Sequence, residues 1–455
     1  MQAFDDYLAT HRDRFIDELK TFVAQPSVAA TGQGMAEMAM LVRVHLTHLG
    51  ATVQTIETGG APILLATLGG GPRTLLIYNH YDVQPPDPID LWTTPPFEPA
   101  VRDGKLFARG VSDNKGDLMC RLHAIEAWQN TIGDLPLTIK WVIEGEEEVG
   151  SPHLADFARA HADQLQADGC LWETGGKNED DRITLTLGLK GIQYLELRVR
   201  GAKRDLHSGY AAIAPSPVWR LIWALNTLKD EHDNITIDHY LDHVRAPHDA
   251  EMAMLRAMPF DEGKKQAALG IERFINDEHG LDVLQRLYYG PTVTICGINA
   301  GYTGEGMKTV LPNYAFAKID CRLVPDLTPE LCLSLLRAHL DRRGFTDIEI
   351  GADCGEQPAL SPVDADIVTA CQAAAREVYA QESVLIPLSP GSGPMYPLTI
   401  ALNIPTVMAG VGYSDARAHA PDENIRLSDY FEGLRFVGRL IAQFSGSSGF
   451  GGAMA

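Results

Sequence analysis

A histidine and an aspartate two positions apart follow an apolar stretch, and they have the residue types of a metal ligand and its support. Residues 74–80 are typical of a buried strand that ends in His80, and Asp82 comes shortly after it. On extended backbone, residues two apart point the same way. Asp82 can therefore accept a hydrogen bond from one ring nitrogen of His80 while the other nitrogen binds a metal ion. An isolated pair of this kind is more often an ordinary surface or core pair.

A bridging carboxylate is available in the next motif along the chain. Asp113 lies in a loop between Gly110 and Gly116 that leads into a predicted helix. The two oxygens of a carboxylate at this position could each bind one of two cations. The alternative is a helix N-cap, which is a common role for aspartate.

An acidic run, residues 144–148, directly follows an apolar strand that ends at Ile143. Neighbouring carboxylates on extended backbone point in different directions, so one can bind a metal while the next faces the attacking water. A solvated acidic loop is the alternative. The position at a strand end favours the functional interpretation, because α/β sheets bind their ligands there.

Two further candidate ligands lie apart from these motifs. Glu173 follows a short apolar strand and His419 lies in a loop near the C-terminus, and each alone could be structural. Strand ends and loops would bring six side chains to one edge of a parallel sheet: His80, Asp113, Glu147, Glu148, Glu173 and His419. Two histidines and three carboxylates, one of them bridging, form a two-metal ligand set that suits Zn²⁺ or Mn²⁺. The remaining carboxylate would be the general base.

The elements that must position these residues alternate between helices and strands. The apolar periodicity predicts helices at 3–24, 35–49, 116–129 and 152–161, and strands at 52–57, 62–68, 74–80, 137–143 and 169–172. This alternation predicts an α/β catalytic domain with a mostly parallel sheet flanked by helices. A helix at 365–379, strands at 383–388 and 405–409 and a helix at 429–443 would complete it.

The pattern changes in the middle of the chain. A half-exposed strand at 191–200 and a helix at 217–229 precede an irregular polar stretch that runs to about residue 290. Strands at 291–298 and 314–323, a helix at 329–343 and a strand at 346–353 follow. The order is that of a split βαβ, or ferredoxin-like, domain. We therefore predict a catalytic domain formed by residues 1–190 and 359–455, with a second domain inserted at 191–358.

Composition narrows the functional class. The chain has 455 residues and a formal net charge of -22, which argues against nucleic acid, since such binding depends on lysine and arginine contacts with phosphate. Its seven cysteines are dispersed, which predicts reduced thiols and a cytoplasmic location. No signal peptide is visible, and no apolar run reaches the roughly 20 residues that span a bilayer. The Gly/Ser-rich tail from Ser445 to Ala455 is expected to fray.

The motifs together resemble those of the dinuclear metallo-exopeptidase and deacylase family that includes carnosinase, cytosolic non-specific dipeptidase, glutamate carboxypeptidase, acetylornithine deacetylase and succinyl-diaminopimelate desuccinylase. Three segments carry most of the resemblance: His80-Tyr-Asp82 is similar to the H-x-D motif, Arg109-Gly-Val-Ser-Asp113-Asn-Lys-Gly116 to R-G-x-x-D-x-K-G, and Glu144-Gly-Glu-Glu147-Glu148-Val-Gly-Ser151 to E-G-x-E-E-x-G-S. They follow one another in the family's order, and the resemblance as a whole runs from the first helix to the C-terminal helix.

The resemblance implies a role for each candidate ligand. Asp113 would bridge two divalent ions, with a cis peptide bond to Asn114, and Asp82 would orient His80. Glu147 would be the general base. One ion would take His80 and Glu173, and the other Glu148 and His419. Zn²⁺ is the expected metal, with Mn²⁺ and Co²⁺ as alternatives.

The inserted domain resembles the lid and dimerisation domain of the same family, which implies a homodimer. Arg204-Asp-Leu-His207-Ser-Gly209 is similar to R-D-L-H-S-G, whose histidine polarises the scissile carbonyl, from the partner subunit in several members. Arg322 matches the arginine that binds the substrate α-carboxylate, and Ser392 and Gly393 lie in a segment like the glycine-rich carboxylate loop. The alternatives are a buried structural His207, a surface ion pair at Arg322 and a simple turn. A phosphate-binding loop is a further alternative for the segment that contains Ser392 and Gly393, but the lysine expected of such a loop does not follow it.

These features predict a metal-dependent exopeptidase, of dipeptidase or carboxypeptidase type, that hydrolyses short peptides with a free C-terminal carboxylate. An N-acyl-amino-acid deacylase with the same machinery is the alternative, and a non-catalytic binding protein on this fold is a third. Glu173 is the residue of the carboxypeptidase and deacylase members, where dipeptidases usually carry aspartate. The insertion at 230–290 and the R-D-L-H-S-G string instead favour the carnosinase branch.

Overall fold

The computed structural model describes residues 1–446, apart from the side chains of Asp353 and Cys354. Most of the Gly/Ser-rich tail, residues 447–455, lies outside the described residues. The chain divides into two compact units: the first comprises Met1–Gly188, Leu360–Pro387 and Pro394–Ala455, and the second Leu189–Ala359 and Leu388–Gly393. Residues 388–393 therefore belong to the second unit, although the sequence pattern predicts them in the catalytic domain.

An eight-stranded sheet forms the centre of the first unit. Its spatial order is Thr52–Ile56, Ile63–Gly69, Thr138–Glu144, Thr74–His80, Gly169–Trp172, Thr406–Met408, Thr184–Thr186 and Val384–Ile386. The strands from Thr138–Glu144 to Thr406–Met408 are parallel, while the first two pair antiparallel. Parallel strands direct their C-terminal ends to the same sheet edge, which is where the candidate ligands are expected.

Helices flank this sheet and bury their apolar faces against its apolar strands. They are Gln2–Thr10, Arg12–Ala24, Met35–His48, Lys115–Thr131, Leu154–Ala160, Ala162–Leu165, Asp366–Val378, Met395–Leu398 and Leu427–Phe444. The Lys115–Thr131 helix is buried along most of its length and packs against the Leu427–Phe444 helix. Trp128, Trp141 and Trp172 are fully buried, and Trp172 stacks on Tyr78 with ring centroids 3.8 Å apart.

Smaller strands complete the first unit. Asn424–Arg426, Lys105–Phe107 and Ala100–Arg102 form a three-stranded antiparallel sheet, and Gly412–Tyr413 pairs with Gly176–Lys177. The three-stranded sheet places the chain that follows His419 beside the chain that precedes Asp113. Short strands at Gly188–Leu189 and Ala359–Leu360 mark two points where the chain passes between the units.

The second unit contains a four-stranded antiparallel sheet in the order Thr292–Ala300, Tyr314–Leu323, Gly191–Arg200 and Glu349–Glu356. Its helices are Pro217–Leu225, Asp249–Ala257, Glu262–Leu269, Leu281–Tyr289 and Pro329–Arg342. A short pairing of Leu206–His207 with Val310–Leu311 completes it. Along the chain, the four long strands and the Pro217–Leu225 and Pro329–Arg342 helices follow the β-α-β-β-α-β order.

Two local predictions are wrong. The helix predicted over residues 3–24 is two helices that meet at His11, whose backbone leaves the helical region at φ -101° and ψ 15°. No glycine or proline announces this break, so the residue pattern could not show it. The stretch expected to be irregular contains three helices between Asp249 and Tyr289, of which Glu262–Leu269 buries no side chain. A helix without a buried stripe leaves no apolar period to detect.

Six cysteines, Cys120, Cys170, Cys296, Cys321, Cys332 and Cys371, are free thiols, and the side chain of Cys354 lies outside the description. Within residues 1–446, no helix combines the length and the apolar character needed to cross a bilayer.

Candidate metal centre

Asp113 lies between two histidines that approach its two carboxylate oxygens separately. His80 Nε2 is 3.1 Å from Asp113 Oδ1, and His419 Nε2 is 3.1 Å from Asp113 Oδ2. The peptide bond between Asp113 and Asn114 is cis, as the resemblance implies. Each oxygen therefore faces a different imidazole nitrogen, which is the arrangement expected of a carboxylate that bridges two cations.

A second carboxylate joins each histidine. Glu173 Oε2 lies 3.4 Å from His80 Nε2, and Glu148 Oε2 lies 3.2 Å from His419 Nε2. Asp113, Glu148 and His419 offer ligand atoms that all lie within 4.8 Å of one another. We call the group of Asp113, His80 and Glu173 the His80 half of the centre, and the group of Asp113, Glu148 and His419 the His419 half.

The sheet explains how residues so far apart in the chain meet. His80 ends its strand and pairs with Glu144 of the neighbouring parallel strand, so the acidic run begins beside it. Glu173 directly follows the Gly169–Trp172 strand, which pairs in parallel on the other side. Three strand ends thus converge on one sheet edge, and two loops bring Asp113 and His419 to it.

Asp82 supports the centre in two ways, one of which the sequence did not suggest. His80 Nδ1 lies 3.1 Å from the Asp82 carbonyl oxygen and 3.3 Å from Asp82 Oδ1. The Asp82 carboxylate also accepts hydrogen bonds from the backbone N–H groups of Glu147, at 3.3 Å, and Glu148, at 3.0 Å. Asp82 therefore fixes the turn of the acidic run as well as the ring of His80. Gln84 Nε2 then donates to Glu148 Oε2 at 2.9 Å.

Glu423 is a fully buried carboxylate that sequence reasoning missed, although it lies in the same segment as His419. It accepts hydrogen bonds from Arg109 Nη1 at 2.7 Å and from the backbone N–H groups of Gly110, Ser112 and Asp113 at 2.8, 2.8 and 3.0 Å. The only signal in the sequence was Arg109, the first residue of the motif that contains Asp113, because a buried arginine needs an acidic partner. No local spacing identifies that partner, because it lies more than 300 positions away.

Arg121 is the second buried support that the sequence did not reveal. Its guanidinium donates to the Tyr78 carbonyl at 2.7 Å, to Asn79 Oδ1 at 2.7 Å and to the Trp172 carbonyl at 2.5 Å. Asn79 Nδ2 in turn donates to Asn114 Oδ1. This network ties together the strand ends that precede His80 and Glu173. The signal was Asn79 itself, a polar residue in an apolar strand that must find partners when buried.

Several carboxyl groups crowd together where the ligands meet, and their pKa values shift in opposite directions. Burial opposes ionisation of Asp113, but hydrogen bonds with His419 and His80 hold the pKa of its carboxyl well below its usual range. Burial raises the pKa of Glu173 to about 8. Burial and the charge of Glu173 also raise the pKa of Glu147 well above its usual value. Crowded carboxylates in a buried place are typical of functional sites.

The donor set fits a pair of divalent cations. Each half offers one imidazole nitrogen and two carboxylate groups, which are ligands that Zn²⁺ accepts in proteins. Glu173 Oε2 is buried and accepts no hydrogen bond from any residue in the described range 1–446, so a cation would satisfy it. The His80 side chain is 1% exposed and the His419 side chain 54%, so the two halves differ in their access to solvent.

The remaining predicted site residues lie in the second unit. His207 is exposed rather than a buried structural histidine, and its Nδ1 accepts a hydrogen bond from the Gly209 N–H at 3.1 Å. Arg322 Nη2 lies 3.0 Å from Asp320 Oδ2, and Arg322 Nη1 donates to Ser392 Oγ at 2.9 Å. Gly393 is buried next to Ser392. Within this unit, Arg322 and the Ser392 loop therefore come together.

Comparison with known proteins decides the family. The family model described as Peptidase family M20/M25/M40 matches residues 76–443, which is more than half of the chain. The chain belongs to this family. Among the relatives of this M20 peptidase is the Beta-Ala-His dipeptidase of Rattus norvegicus, 27% identical over 480 residues that cover 98% of this chain and 96% of the relative. Another is the Cys-Gly metallodipeptidase dug1 of Schizosaccharomyces pombe, 28% identical over 458 residues that cover 93% and 94%.

A solved structure supports the same assignment. The M20 family metallo-carboxypeptidase Sso-CP2 from Sulfolobus solfataricus has a TM-score of 0.90 and 35% sequence identity with this chain, covering 95% of this M20 peptidase and 99% of Sso-CP2. The predicted family, the α/β fold with a mostly parallel sheet and metal-dependent hydrolysis of short peptides are confirmed. The deacylase alternative has less support.

Proposed function

We propose that this M20 peptidase is a dipeptidase that cleaves short peptides with a free C-terminal carboxylate, using two divalent ions. His80 and Glu173 would hold one ion, Glu148 and His419 would hold the other, and Asp113 would bind both. The observation that carries this proposal is the approach of one histidine to each oxygen of Asp113, both at 3.1 Å. When bound, such an ion pair acts as a Lewis acid and lowers the pKa of water.

Glu147 is the general base in this proposal. Its backbone N–H is held by Asp82, and its carboxylate makes no hydrogen bond to any residue of the described range 1–446. It therefore remains available to take a proton from the attacking water and to pass that proton to the leaving amine. Glu148, its neighbour, is instead fixed by Gln84 in the direction of His419. The two adjacent glutamates thus have separate tasks.

His207 would donate a hydrogen bond to the oxyanion that forms on the scissile carbonyl. Because its Nδ1 accepts from the Gly209 N–H, the neutral ring carries its proton on Nε2, which is then a donor. Loss of one such donor typically lowers kcat by about 10²–10³-fold. We expect His207→Ala to lower kcat by that order without changing the metal content of the protein, and metal analysis beside kinetics would check both.

Arg322 and Ser392 would bind the substrate carboxylate. A guanidinium can grip a carboxylate with two parallel hydrogen bonds, and the Arg322 fork is already oriented by Asp320 and Ser392. This binding mode requires a free C-terminal carboxylate. Both dipeptides and N-acyl amino acids carry one, so it does not separate the peptidase from the deacylase, and that choice rests on the named relatives.

We also propose Zn²⁺ as the metal, with Mn²⁺ and Co²⁺ as alternatives, together with a cytoplasmic location and a homodimer formed through the second domain. The nitrogen and oxygen donors support Zn²⁺. An apolar face of the Pro217–Leu225 helix supports the dimer: Trp219 and Trp223 are 57% and 56% exposed, and Ile222 lies beside them at 40%. Apolar side chains clustered in this way often mark an interface between subunits.

A substrate panel tests the proposed function. It would contain β-Ala-His, Cys-Gly, the C-terminal amide of each and an N-acetyl amino acid, assayed with Zn²⁺, Mn²⁺ or Co²⁺. We expect hydrolysis of the dipeptides, at least a tenfold lower kcat/KM for the amides and loss of activity with a chelator. Faster turnover of the N-acetyl amino acid than of every dipeptide would instead establish the deacylase.

A further inference from the structure

The carboxylate of Glu423 is a buried group to which the proposed chemistry gives no role. Its side chain is fully buried, and each of its two carboxylate oxygens accepts two hydrogen bonds. Oε2 accepts from Arg109 and the Gly110 N–H, while Oε1 accepts from the N–H groups of Ser112 and Asp113. Every partner is a donor, and three of the four belong to the backbone that leads into Asp113.

Glu423 also belongs to the segment that carries His419. Glu423 lies four positions after His419. The three residues that follow it, Asn424–Arg426, form a strand that pairs with Lys105–Phe107. The Ala108 N–H then donates to the Glu423 carbonyl at 3.1 Å. Glu423 therefore joins the two loops that supply His419 and Asp113, through its side chain and its backbone.

We propose that Glu423 is a positioning residue for the metal centre, which holds the bridging Asp113 and the His419 loop in register so that the His419 half can bind its ion. This inference rests on the proposed two-ion function. The His80 half has its own support in Arg121 and Asn79, which hold the strand ends beside His80 and Glu173. The Asp113 loop is common to both halves, whereas the His419 loop belongs to one, so disturbing Glu423 should weaken the His419 half more than the His80 half.

The substitution Glu423→Gln removes the charge and keeps the size of the side chain. A carboxylate accepts at both oxygens, whereas an amide offers one acceptor oxygen and one donor NH₂. Two hydrogen-bond donors face each oxygen of Glu423. In Glu423→Gln the amide oxygen can accept from one of these pairs of donors, but the amide NH₂ then faces the other pair and cannot accept from it. Residues that orient metal ligands typically change metal affinity by about 10–100-fold when they are substituted. We expect Glu423→Gln to lower the affinity for the ion of the His419 half by at least tenfold and the affinity for the ion of the His80 half by less than threefold.

A matched control exists in the second unit. Glu251 is a buried carboxylate that accepts two hydrogen bonds from Arg245 and one from the His248 N–H, all at 2.7 Å. Glu251→Gln thus makes the same change in a similar setting that is not tied to Asp113 or His419. We expect both metal affinities of this control to remain at the wild-type value, even if its melting temperature falls.

The experiment is a titration of metal-free wild type, Glu423→Gln and Glu251→Gln with Zn²⁺ against a competing chromophoric chelator, with circular dichroism to confirm folding. Crystals soaked in Zn²⁺ would then show by anomalous scattering which half retains full occupancy. We expect Glu423→Gln to keep the ion at His80 and Glu173 and to lose occupancy at Glu148 and His419. Wild-type affinity for both ions in folded Glu423→Gln would overturn the proposal, as would equal weakening of both.

Two further measurements apply if Glu423→Gln does not fold. Arg109→Lys keeps a positive charge beside Glu423 but removes the guanidinium fork. We expect this variant to have a several-fold lower affinity for the ion of the His419 half. In the metal-free wild type, hydrogen exchange should show the amides of Ser112 and Asp113 protected, because Glu423 holds them without any ion. Rapid exchange of both amides would contradict the proposal. If wild type itself binds fewer than two ions, the proposed function fails instead.

Discussion

His419 and Asp113 lie 306 positions apart in the chain, yet His419 Nε2 is 3.1 Å from Asp113 Oδ2. His80 stands at the same distance from the other oxygen of Asp113. The carboxylate therefore belongs to both halves of the centre, whereas each histidine belongs to one. This difference has a direct consequence for how substitutions should change the number of bound ions.

Asp113→Asn and His419→Ala should differ in stoichiometry. In the proposed arrangement, an amide at position 113 removes an oxygen ligand and the shared negative charge, so we expect Asp113→Asn to bind neither ion at micromolar Zn²⁺. His419→Ala removes a ligand from one half, so we expect it to retain one ion. Inductively coupled plasma mass spectrometry after dialysis measures both. One retained ion in Asp113→Asn would show that this carboxylate does not bridge.

Glu147→Gln should separate chemistry from metal binding. Glutamine cannot take a proton from water, so we expect kcat to fall by about 10²–10⁴-fold, the range typical of general acid–base catalysis. Metal content should stay at the wild-type value, because in the proposed arrangement the metal ligand is Glu148 and not Glu147. Glu148→Gln is the matched partner and should lose metal. The opposite pattern, with metal lost in Glu147→Gln and retained in Glu148→Gln, would exchange the roles of the two glutamates.

The part of the centre that could be predicted from the sequence is the part that local patterns specify. His80 ends one apolar strand and Glu173 follows another. Parallel strands place their ends at one edge, so both residues could be expected there. The boundaries of Gly169–Trp172, Gly191–Arg200 and Tyr314–Leu323 agree with the prediction for the same reason: alternating or continuous apolar runs end abruptly.

What could not be predicted depends on contacts between distant segments. Glu423 and Arg121 act through buried hydrogen bonds to backbone groups, and such groups have no sequence signature. The Glu262–Leu269 helix buries no side chain and therefore shows little apolar periodicity. Leu281–Tyr289, by contrast, is amphipathic, buries Val283, Leu284 and Tyr289, and could have been predicted from its sequence. The break at His11 has no glycine or proline to announce it.

Asp117 provides a pH-dependent test of the buried polar network. Burial raises the pKa of its carboxyl to about 7, although the Val411 N–H donates to it at 2.9 Å. A raised carboxyl pKa means that the folded state holds a proton that the unfolded state has released, so this group costs stability as pH rises from about 4 to 7. We expect Asp117→Asn to raise the melting temperature of the metal-free protein at pH 8 more than at pH 5.

Differential scanning fluorimetry at these two pH values, with a chelator present, measures this effect. Asp366→Asn, at the exposed start of another helix, is the control and should show no such pH-dependent gain. A stabilisation by Asp117→Asn that is equal at pH 5 and pH 8 would contradict the raised pKa.

Trp219 and Trp223 test the proposed homodimer. They stack with ring centroids 6.1 Å apart on one face of the Pro217–Leu225 helix, so charged replacements should oppose burial of this face against a second copy. We expect the double variant Trp219→Glu, Trp223→Glu to run as a monomer in size-exclusion chromatography with light scattering. Leu91→Glu, which changes an exposed apolar residue of the first unit, should remain a dimer. A wild-type protein that is monomeric at all concentrations would end the dimer proposal.

Two ions that share Asp113 are the central feature of the proposed mechanism. The most direct measurement is anomalous diffraction from wild-type crystals soaked in Zn²⁺, recorded on both sides of the zinc absorption edge. We predict two anomalous peaks per chain about 3.5–4 Å apart, one beside His80 and Glu173, the other beside Glu148 and His419, with Asp113 between them. A single peak under saturating Zn²⁺, or peaks remote from Asp113, would contradict the account.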